Sequence, residues 1–202
     1  TLRASARNEN ELKAWLQGSW DIVAGGMFDD VWNPDVHIVR PFHIPHGWRI
    51  DRAMDWGGSK PFSIGWYAES DGEPYVCSQT KQVYGAVKGD IFRIAEWYGT
   101  SGKPNEGLNL TPQEIAEGVI AHEEDLGITG RVKSGPADHN IFVRDRGPSM
   151  YDEMRKFGVK FDKADKGPFS RTRGWQLMRE RFRGAIPHEE YGRTEPEIGR
   201  AS

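Results

Sequence analysis

The feature that most constrains the fold is a series of strand-forming runs in the middle of the chain, separated by short turns. Apolar residues alternate with polar ones in these runs, and the turns "SDGE" and "KGD" divide them. Such closely spaced runs predict a meander of at least three antiparallel strands. The runs are "RAMDWG" (52–57), "PFSIGWYAES" (61–70), "PYVCSQTKQVYG" (74–85) and "IFRIAEWYG" (91–99).

A helix is predicted directly after the meander, in "LTPQEIAEGVIAHEEDLG" at 110–127. Thr111 is a favourable N-cap, Pro112 suits the first helical position and Glu114 completes a capping box. Gly127 can end the helix. We expect Ile115 and Val119, together with Ile120 or His122, to face the sheet.

Strands and helices alternate in the rest of the chain. We predict a strand in "RVKSGPADHNIFV" that ends near Asp138, a short helix stopped by Gly158, a last strand in "VKFDKA" and a helix in "RTRGWQLMRERFRG". Another short helix is predicted at 9–20, and an extended connector at 37–50 pinned by Phe42 and Trp48. Helices between later strands imply an α/β fold, in which a mixed sheet of antiparallel meander and parallel strands is flanked by helices.

Composition excludes several classes of protein. At 202 residues the chain suits one domain with a partial second. The single cysteine, Cys77, excludes an internal disulfide and a multi-cysteine zinc site, and it fits a reducing compartment. Because no apolar run approaches the roughly 20 residues of a membrane span, and no signal peptide is seen, we expect no membrane partner and a cytoplasmic location.

The net charge of −3 conceals a basic segment. Residues 144–183 hold 12 Lys/Arg and 6 Asp/Glu, which gives +6, whereas the remaining residues hold 15 and 24, which gives −9. A basic segment on an acidic body indicates a polyanionic partner. Charges of this kind are also typical of solvated helix surfaces.

Two acidic residues stand where strands are predicted. Asp55 lies within the first strand of the meander, and Asp138 ends the strand after the capped helix. If these strands are neighbours, both carboxylates lie at one end of the sheet. Their oxygen atoms are ligands that select Mg²⁺ or Mn²⁺, and such ions, when bound, can support phosphodiester cleavage. Asp138 could equally cap the turn that follows it.

Two further acids are weaker candidates. Asp145 stands between two arginines in "VRDRG", which predicts a salt-bridged turn, although within a site it could be an outer metal ligand or hold an arginine that faces DNA. Glu96 is a third strand acid, which in a meander is expected to face solvent.

Several segments, in order, resemble the large terminase subunit of tailed phages and prophages, the motor that packages DNA. The resemblance covers most of residues 18–183. Its segments are "GSWDIVAGGMFDDVW", "HIVRPFHIPHGWRIDRAMDWGGSKPFSIGWYA", "GPADHNIF" with "RDRGPSM", "GVKF" with "KADK", and "RTRGWQLMRERF".

In that family an N-terminal ATPase pumps DNA and a C-terminal nuclease with an RNase H-like fold cuts the concatemer. The resemblance implies that residues 1–44 are the tail of the ATPase domain with the inter-domain connector, and that residues 45–202 are an RNase H-like nuclease domain. It further implies double-stranded DNA, the portal and the small terminase subunit as partners. The implied residues are Asp55 and Asp138 for catalysis, the same two with Asp145 for Mg²⁺ or Mn²⁺, and Lys60, Arg144, Arg171, Arg173 and Arg179 for DNA.

The chain departs from the family at its end. The family usually supplies a third acid from a late helix, whereas this sequence ends "IPHEEYGRTEPEIGRAS", where Glu189 or Glu190 could substitute. We therefore expect a fragment or a decayed prophage gene with an incomplete metal site. A non-catalytic module for DNA binding or assembly, or another RNase H-like enzyme such as a junction resolvase, stays open as an alternative.

Overall fold

The computed structural model describes residues 26–185 and the backbone of residues 198–201, so the helix predicted at 9–20 lies outside the described part. The helices are α1 (Pro34–His37), α2 (Pro112–Asp125), α3 (Met150–Lys156) and α4 (Ser170–Gly184), and His139–Phe142 forms a 3-10 turn. The strands are β1 (Ile38–Val39), β2 (Phe42–His43), β3 (Arg49–Asp55), β4 (Ser63–Glu69), β5 (Tyr75–Cys77), β6 (Val83–Tyr84), β7 (Ile91–Tyr98), β8 (Val132–Lys133), β9 (Pro136–Ala137), β10 (Asp162–Lys163) and β11 (Ile198–Ala201).

The predicted meander is confirmed for β3, β4 and β7, which pair antiparallel along most of their length. Since side chains alternate between the two faces of a strand, one face of the meander collects the apolar residues. These residues are buried in the core: Ile50, Met54, Ile64, Trp66 and Phe92. The opposite face carries Asp55 and Ser63, which pair across β3 and β4.

The segment at 74–85 is not part of this meander, contrary to the prediction. Its strands β5 and β6 form a separate three-stranded sheet with β2. The Ser70 N–H donates to the Asp90 carbonyl oxygen and the Gly89 N–H to the Ser70 carbonyl oxygen, both at 2.8 Å. These bonds hold the end of β4 next to the start of β7, so the segment between them is an excursion from the main sheet. Tyr75 packs instead on Phe42, with ring centroids 4.4 Å apart, which pins the predicted connector to the core.

The main sheet continues from the meander into parallel strands, as predicted. The strand order β7-β4-β3-β9-β10, with β9 parallel to β3 and β10 parallel to β9, is that of an RNase H-like sheet. The strand predicted in "RVKSGPADHNIFV" is divided at Ser134 and Gly135 into β8 and β9, and it ends directly before Asp138. At the opposite edge of the sheet lies β11, which we did not predict. It pairs parallel with β7 on one side and with β1 on the other.

Helix α2 covers the apolar face of the meander, and its ends are as predicted. Thr111 and Glu114 form the capping box, and Gly127 follows the helix with φ +65°. His122 stacks on Trp97 with ring centroids 5.0 Å apart. A Cβ atom at Gly118 would lie 2.3 Å from the Trp97 ring, so this close approach of helix and sheet requires glycine.

A charged pair lies inside the same interface. Arg52 of β3 is 5% exposed and forms an ion pair with Glu123 of α2, which is 8% exposed. Trp66 donates its indole N–H to the same carboxylate at 3.1 Å, and Arg52 also donates to the carbonyl oxygen of Lys160 at 3.1 Å. Each buried charge therefore has a partner.

Helix α4 packs against the rest of the protein through an apolar side chain at its C-terminal end. Phe182 is buried against the rings of Phe28, Trp32 and His37, and the His37 imidazole lies 2.9 Å from the Phe182 carbonyl oxygen. Most other α4 side chains are exposed. Across the described part of the chain, no helix is long and apolar enough to cross a membrane.

Candidate functional site

Asp55 and Asp138 lie at the ends of adjacent parallel strands. Asp55 is the last residue of β3, and Asp138 directly follows β9. Met54 pairs with Ala137, and the Asp138 N–H donates to the Met54 carbonyl oxygen at 3.0 Å, so the register brings both acids to the same edge of the sheet. Both line one cavity of about 670 Å³. The predicted juxtaposition of the two strand-end acids is therefore observed.

Three other parts of the fold complete this acid cavity. Strand β4, the loop after β10 and the first turn of α4 each contribute residues to its lining. Burial raises the pKa of Tyr67, so its phenol is protonated at neutral pH and can donate a hydrogen bond. The residues from these parts are Ser63, Gly65, Tyr67, Ala164, Asp165, Lys166, Ser170 and Arg171.

The two carboxylates have different surroundings. Asp55 is exposed, and residues 26–185 include no hydrogen-bond or ion-pair partner for its side chain. Asp138 accepts from the Asn140 N–H at 2.7 Å and from the Lys166 ammonium at 3.1 Å. The Asn140 N–H, and then Lys166, hold the pKa of Asp138 below its ordinary value. Asp138 thus caps the following turn and lines the cavity, so the two alternatives are compatible.

A third carboxylate in the cavity, Asp165, was missed by the sequence reasoning. It lies two residues after the end of β10, and the parallel pairing of β10 with β9 brings it to the same edge. Its oxygens accept from the Gly167 N–H at 2.8 Å and from Arg173 at 3.3 Å. The sequence did contain a signal for this residue, because Asp165 comes shortly after the strand predicted in "VKFDKA".

The donor set suits a cation that keeps part of its hydration shell. Within the described residues, no three His, Cys, Asp or Glu side chains are grouped closely enough to hold a metal ion. Mg²⁺, however, is commonly bound by one or two carboxylates, with waters and substrate phosphate as the other ligands. Lys166, which also lines the cavity, forms an ion pair with Asp138, so one oxygen of this carboxylate already carries a positive charge.

Asp145 and two of the arginines predicted to bind DNA lie elsewhere or are engaged in ion pairs. Asp145 is exposed in the turn before α3 and is not part of the cavity lining. Arg144 binds Asp152 through two hydrogen bonds of 2.7 and 2.8 Å. Arg179 binds Asp30 in the same two-pronged manner, at 2.6 and 2.5 Å. The structure therefore does not bring these groups to the acids.

The other predicted basic residues lie nearer the cavity or on open surface. Arg171 lines the cavity, and Arg173 reaches Asp165. Lys60 is exposed in the turn after β3. Glu96 is exposed as expected, where it accepts from the Ser63 hydroxyl at 3.0 Å.

The fold is similar to that of phage large terminases. One structure of the large terminase from a thermophilic bacteriophage, in complex with ADP, superimposes with a TM-score of 0.57 over 95% of this chain at 18% identity. A second crystal structure of the same thermophilic-phage terminase gives a TM-score of 0.55 over 92% of the chain, again at 18% identity. The P22 large terminase nuclease domain is a weaker match, with a TM-score of 0.48, 14% identity and coverage of 87% of this chain and 73% of that domain.

The chain spans about a third of the length of the thermophilic-phage terminase, 37% and 36% in these two structures. No protein-family model matches the sequence, and none of the curated proteins is significantly similar to it. At these identities the similarity shows a shared fold.

Proposed function

We propose that this chain is a metal-dependent DNA endonuclease, the nuclease part of a phage DNA-packaging terminase large subunit, which cleaves concatemeric DNA. The observation that carries the proposal is the meeting of Asp55 and Asp138 at adjacent strand ends of an RNase H-like sheet. Residues 45–202 would form the nuclease domain, and residues 1–44 the end of the ATPase domain with its connector. The similarity in fold to the thermophilic-phage large terminase supports the assignment.

Four side chains of the cavity have a role in this proposal. Asp55 and Asp138 would hold Mg²⁺ or Mn²⁺, which when bound supplies a Lewis acid for the phosphodiester. The Tyr67 hydroxyl can donate to a phosphate oxygen, and Arg171 can hold a neighbouring phosphate. Asp145 is left without a place in the cavity, and we propose no metal role for it.

The partners follow from the same assignment. Double-stranded DNA would lie along the basic segment 144–183, with Lys60 and Arg173 as further backbone contacts. The portal and the small terminase subunit are proposed as protein partners, in the cytoplasm of the bacterial host.

A second function, a non-catalytic module for DNA binding or assembly, is favoured by one specific observation. The described residues hold no group of three metal-ligating side chains, and Lys166 occupies one oxygen of Asp138. A chain of this kind would keep the fold and the basic surface without cleaving DNA.

Cleavage of supercoiled plasmid in Mn²⁺ and in Mg²⁺ separates the two functions. The parent chain should nick or linearise the plasmid, and Asp55→Asn and Asp138→Asn should each slow cleavage by at least about 100-fold, since loss of a partner behind a metal ligand already costs 10- to 100-fold. The matched control is Asp125→Asn. Asp125 is an exposed acid at the C-terminal end of α2, and it does not line the acid cavity. This control should cleave like the parent.

Two other results of the plasmid assay would contradict the proposed nuclease site. If the parent does not cleave but binds DNA in a salt-sensitive manner, the non-catalytic module is correct. If the parent cleaves and the two variants cleave equally well, the acid cavity is not the active site.

A further inference from the structure

Phe169 occupies an unusual position beside the acid cavity. Its aromatic side chain is 80% exposed, and the next two residues, Ser170 and Arg171, line the cavity. Its backbone is left-handed, with φ +62°, and it is the one aromatic residue among the described non-glycine residues with positive φ. A large apolar ring is thus held open to solvent directly before two residues that line the cavity.

Stability does not account for a phenylalanine at this position. Phe169 is the N-cap of α4, where Ser, Thr, Asp and Asn are preferred because their oxygens accept from the first turn. Phenylalanine provides no such bond here. A left-handed backbone is also strained for a bulky side chain, and strain of this kind tends to occur at functional sites. The ring therefore satisfies neither the helix cap nor the core.

The charges around Phe169 indicate which partner suits the ring. Residues 160–183 hold 8 Lys/Arg and 3 Asp/Glu. Arg171 has no ion-pair partner in the part of the chain that the structure describes, although other arginines of α4 are engaged by Asp165, Asp30 and the Gly89 carbonyl oxygen. An exposed ring beside an uncommitted guanidinium matches a nucleic-acid strand, which presents both π faces and phosphates.

We propose that Phe169 stacks on an unpaired base of DNA while Arg171 holds the adjacent phosphate. The cavity would then prefer DNA with a local unpaired base, as at a bulge or a flap, over a fully paired duplex. This inference rests on the proposed function, because it names the DNA that the acid cavity receives.

Equilibrium binding in Ca²⁺, measured by fluorescence anisotropy, tests the preference without cleavage. Three duplexes are compared: one fully paired, one with a single extra nucleotide, and one with an abasic residue in place of that nucleotide. The parent should bind the duplex with the extra base about tenfold more tightly than the other two, which is the size of one base–aromatic stack. The abasic duplex separates stacking from simple flexibility of the DNA.

Variants at position 169 connect the preference to the ring. Phe169→Asn should abolish the preference and raise the melting temperature by about 2–4 °C, since asparagine caps helices and tolerates left-handed backbone. Phe169→Trp should keep the preference. The matched control is Leu177→Gln, which removes another exposed apolar side chain of α4 and should leave the preference unchanged.

Three outcomes would overturn the inference: no preference in the parent, a preference that survives in Phe169→Asn, or equally tight binding of the abasic duplex. These outcomes are independent of the plasmid assay. Plasmid cleavage without a preference contradicts this inference alone, whereas a preference without cleavage contradicts the nuclease activity alone. Equal affinity for all three duplexes would leave a protein partner as the reason for the exposed ring.

Discussion

The Lys166 ammonium lies 3.1 Å from Oδ2 of Asp138, so one oxygen of a proposed metal ligand already carries a cation from the protein itself. The lysine belongs to the loop after β10, and both residues line the acid cavity. Its side chain is 47% exposed, so solvent screens the pair and the lysine can swing away. A divalent ion that binds Asp138 must therefore compete with Lys166.

Replacing Lys166 should strengthen metal binding. In Lys166→Met the competing charge is gone while the length of the side chain is kept, so we expect Mn²⁺ to bind about three- to tenfold more tightly, on the scale of a partly exposed ion pair. Isothermal titration calorimetry measures this directly. Lys156→Met, in an exposed pair with Glu153 on α3, is the control. Weaker Mn²⁺ binding by Lys166→Met would mean that the lysine supports the site.

The arginines of α4 should differ in their effect on DNA binding. Arg171→Ala should weaken binding to all sequences and reduce the slope of log K against log salt by about 1, as expected for loss of one phosphate contact. Arg179→Ala should change the slope less, because Asp30 already neutralises this guanidinium, and should instead lower the melting temperature. Anisotropy titrations at several salt concentrations, with thermal melts, check both. If both variants reduce the slope of log K against log salt equally, Arg179 must leave Asp30 and contact DNA in the complex.

The buried pair between β3 and α2 should be strongly coupled. Arg52→Met leaves the Glu123 carboxylate buried without its charged partner, and we expect a loss of about 3–5 kcal/mol in the free energy of unfolding. In the double variant Arg52→Met/Glu123→Gln, a neutral amide still accepts from Trp66, so part of this loss should be recovered. Urea denaturation gives the values. The single variant Glu123→Gln completes the comparison. If the loss in the double variant equals the sum of the losses in the two single variants, the charges do not interact.

Acid should weaken the cap of α3. Two hydrogen bonds from Arg144, together with the Ser149 N–H, hold the pKa of Asp152 well below its ordinary value of 3.8. Because the folded pKa is depressed, the stabilisation is fully present above the unfolded pKa and is lost as the pH falls through the folded pKa. The difference in unfolding free energy between parent and Asp152→Asn should therefore be largest above about pH 5 and shrink steadily below about pH 4. A difference that is constant over this range would exclude the carboxylate charge as its cause.

Local features of the fold were predictable because their causes lie within a few residues. The capping box of Thr111 and Glu114 spans three residues, and the alternation in β3, β4 and β7 has a period of two. The strand-end position of Asp55 and Asp138 followed from the same local patterns. The strands of the meander, helix α2 and the two central acids could therefore be inferred before any contact was known.

The sequence by itself determined the meander strands β3, β4 and β7, the capped helix α2 and the presence of an acid on each of two predicted strands. Only the tertiary structure decided that 74–85 joins a second sheet, that Asp165 shares the acid cavity, and that Arg179 is engaged by Asp30, 149 positions away. The physical reason is that strand pairing and ion pairing join segments distant in the chain. The free energy of each such pairing depends on which segments the complete fold brings together. The alternation or charge of one segment does not specify the segment with which it pairs.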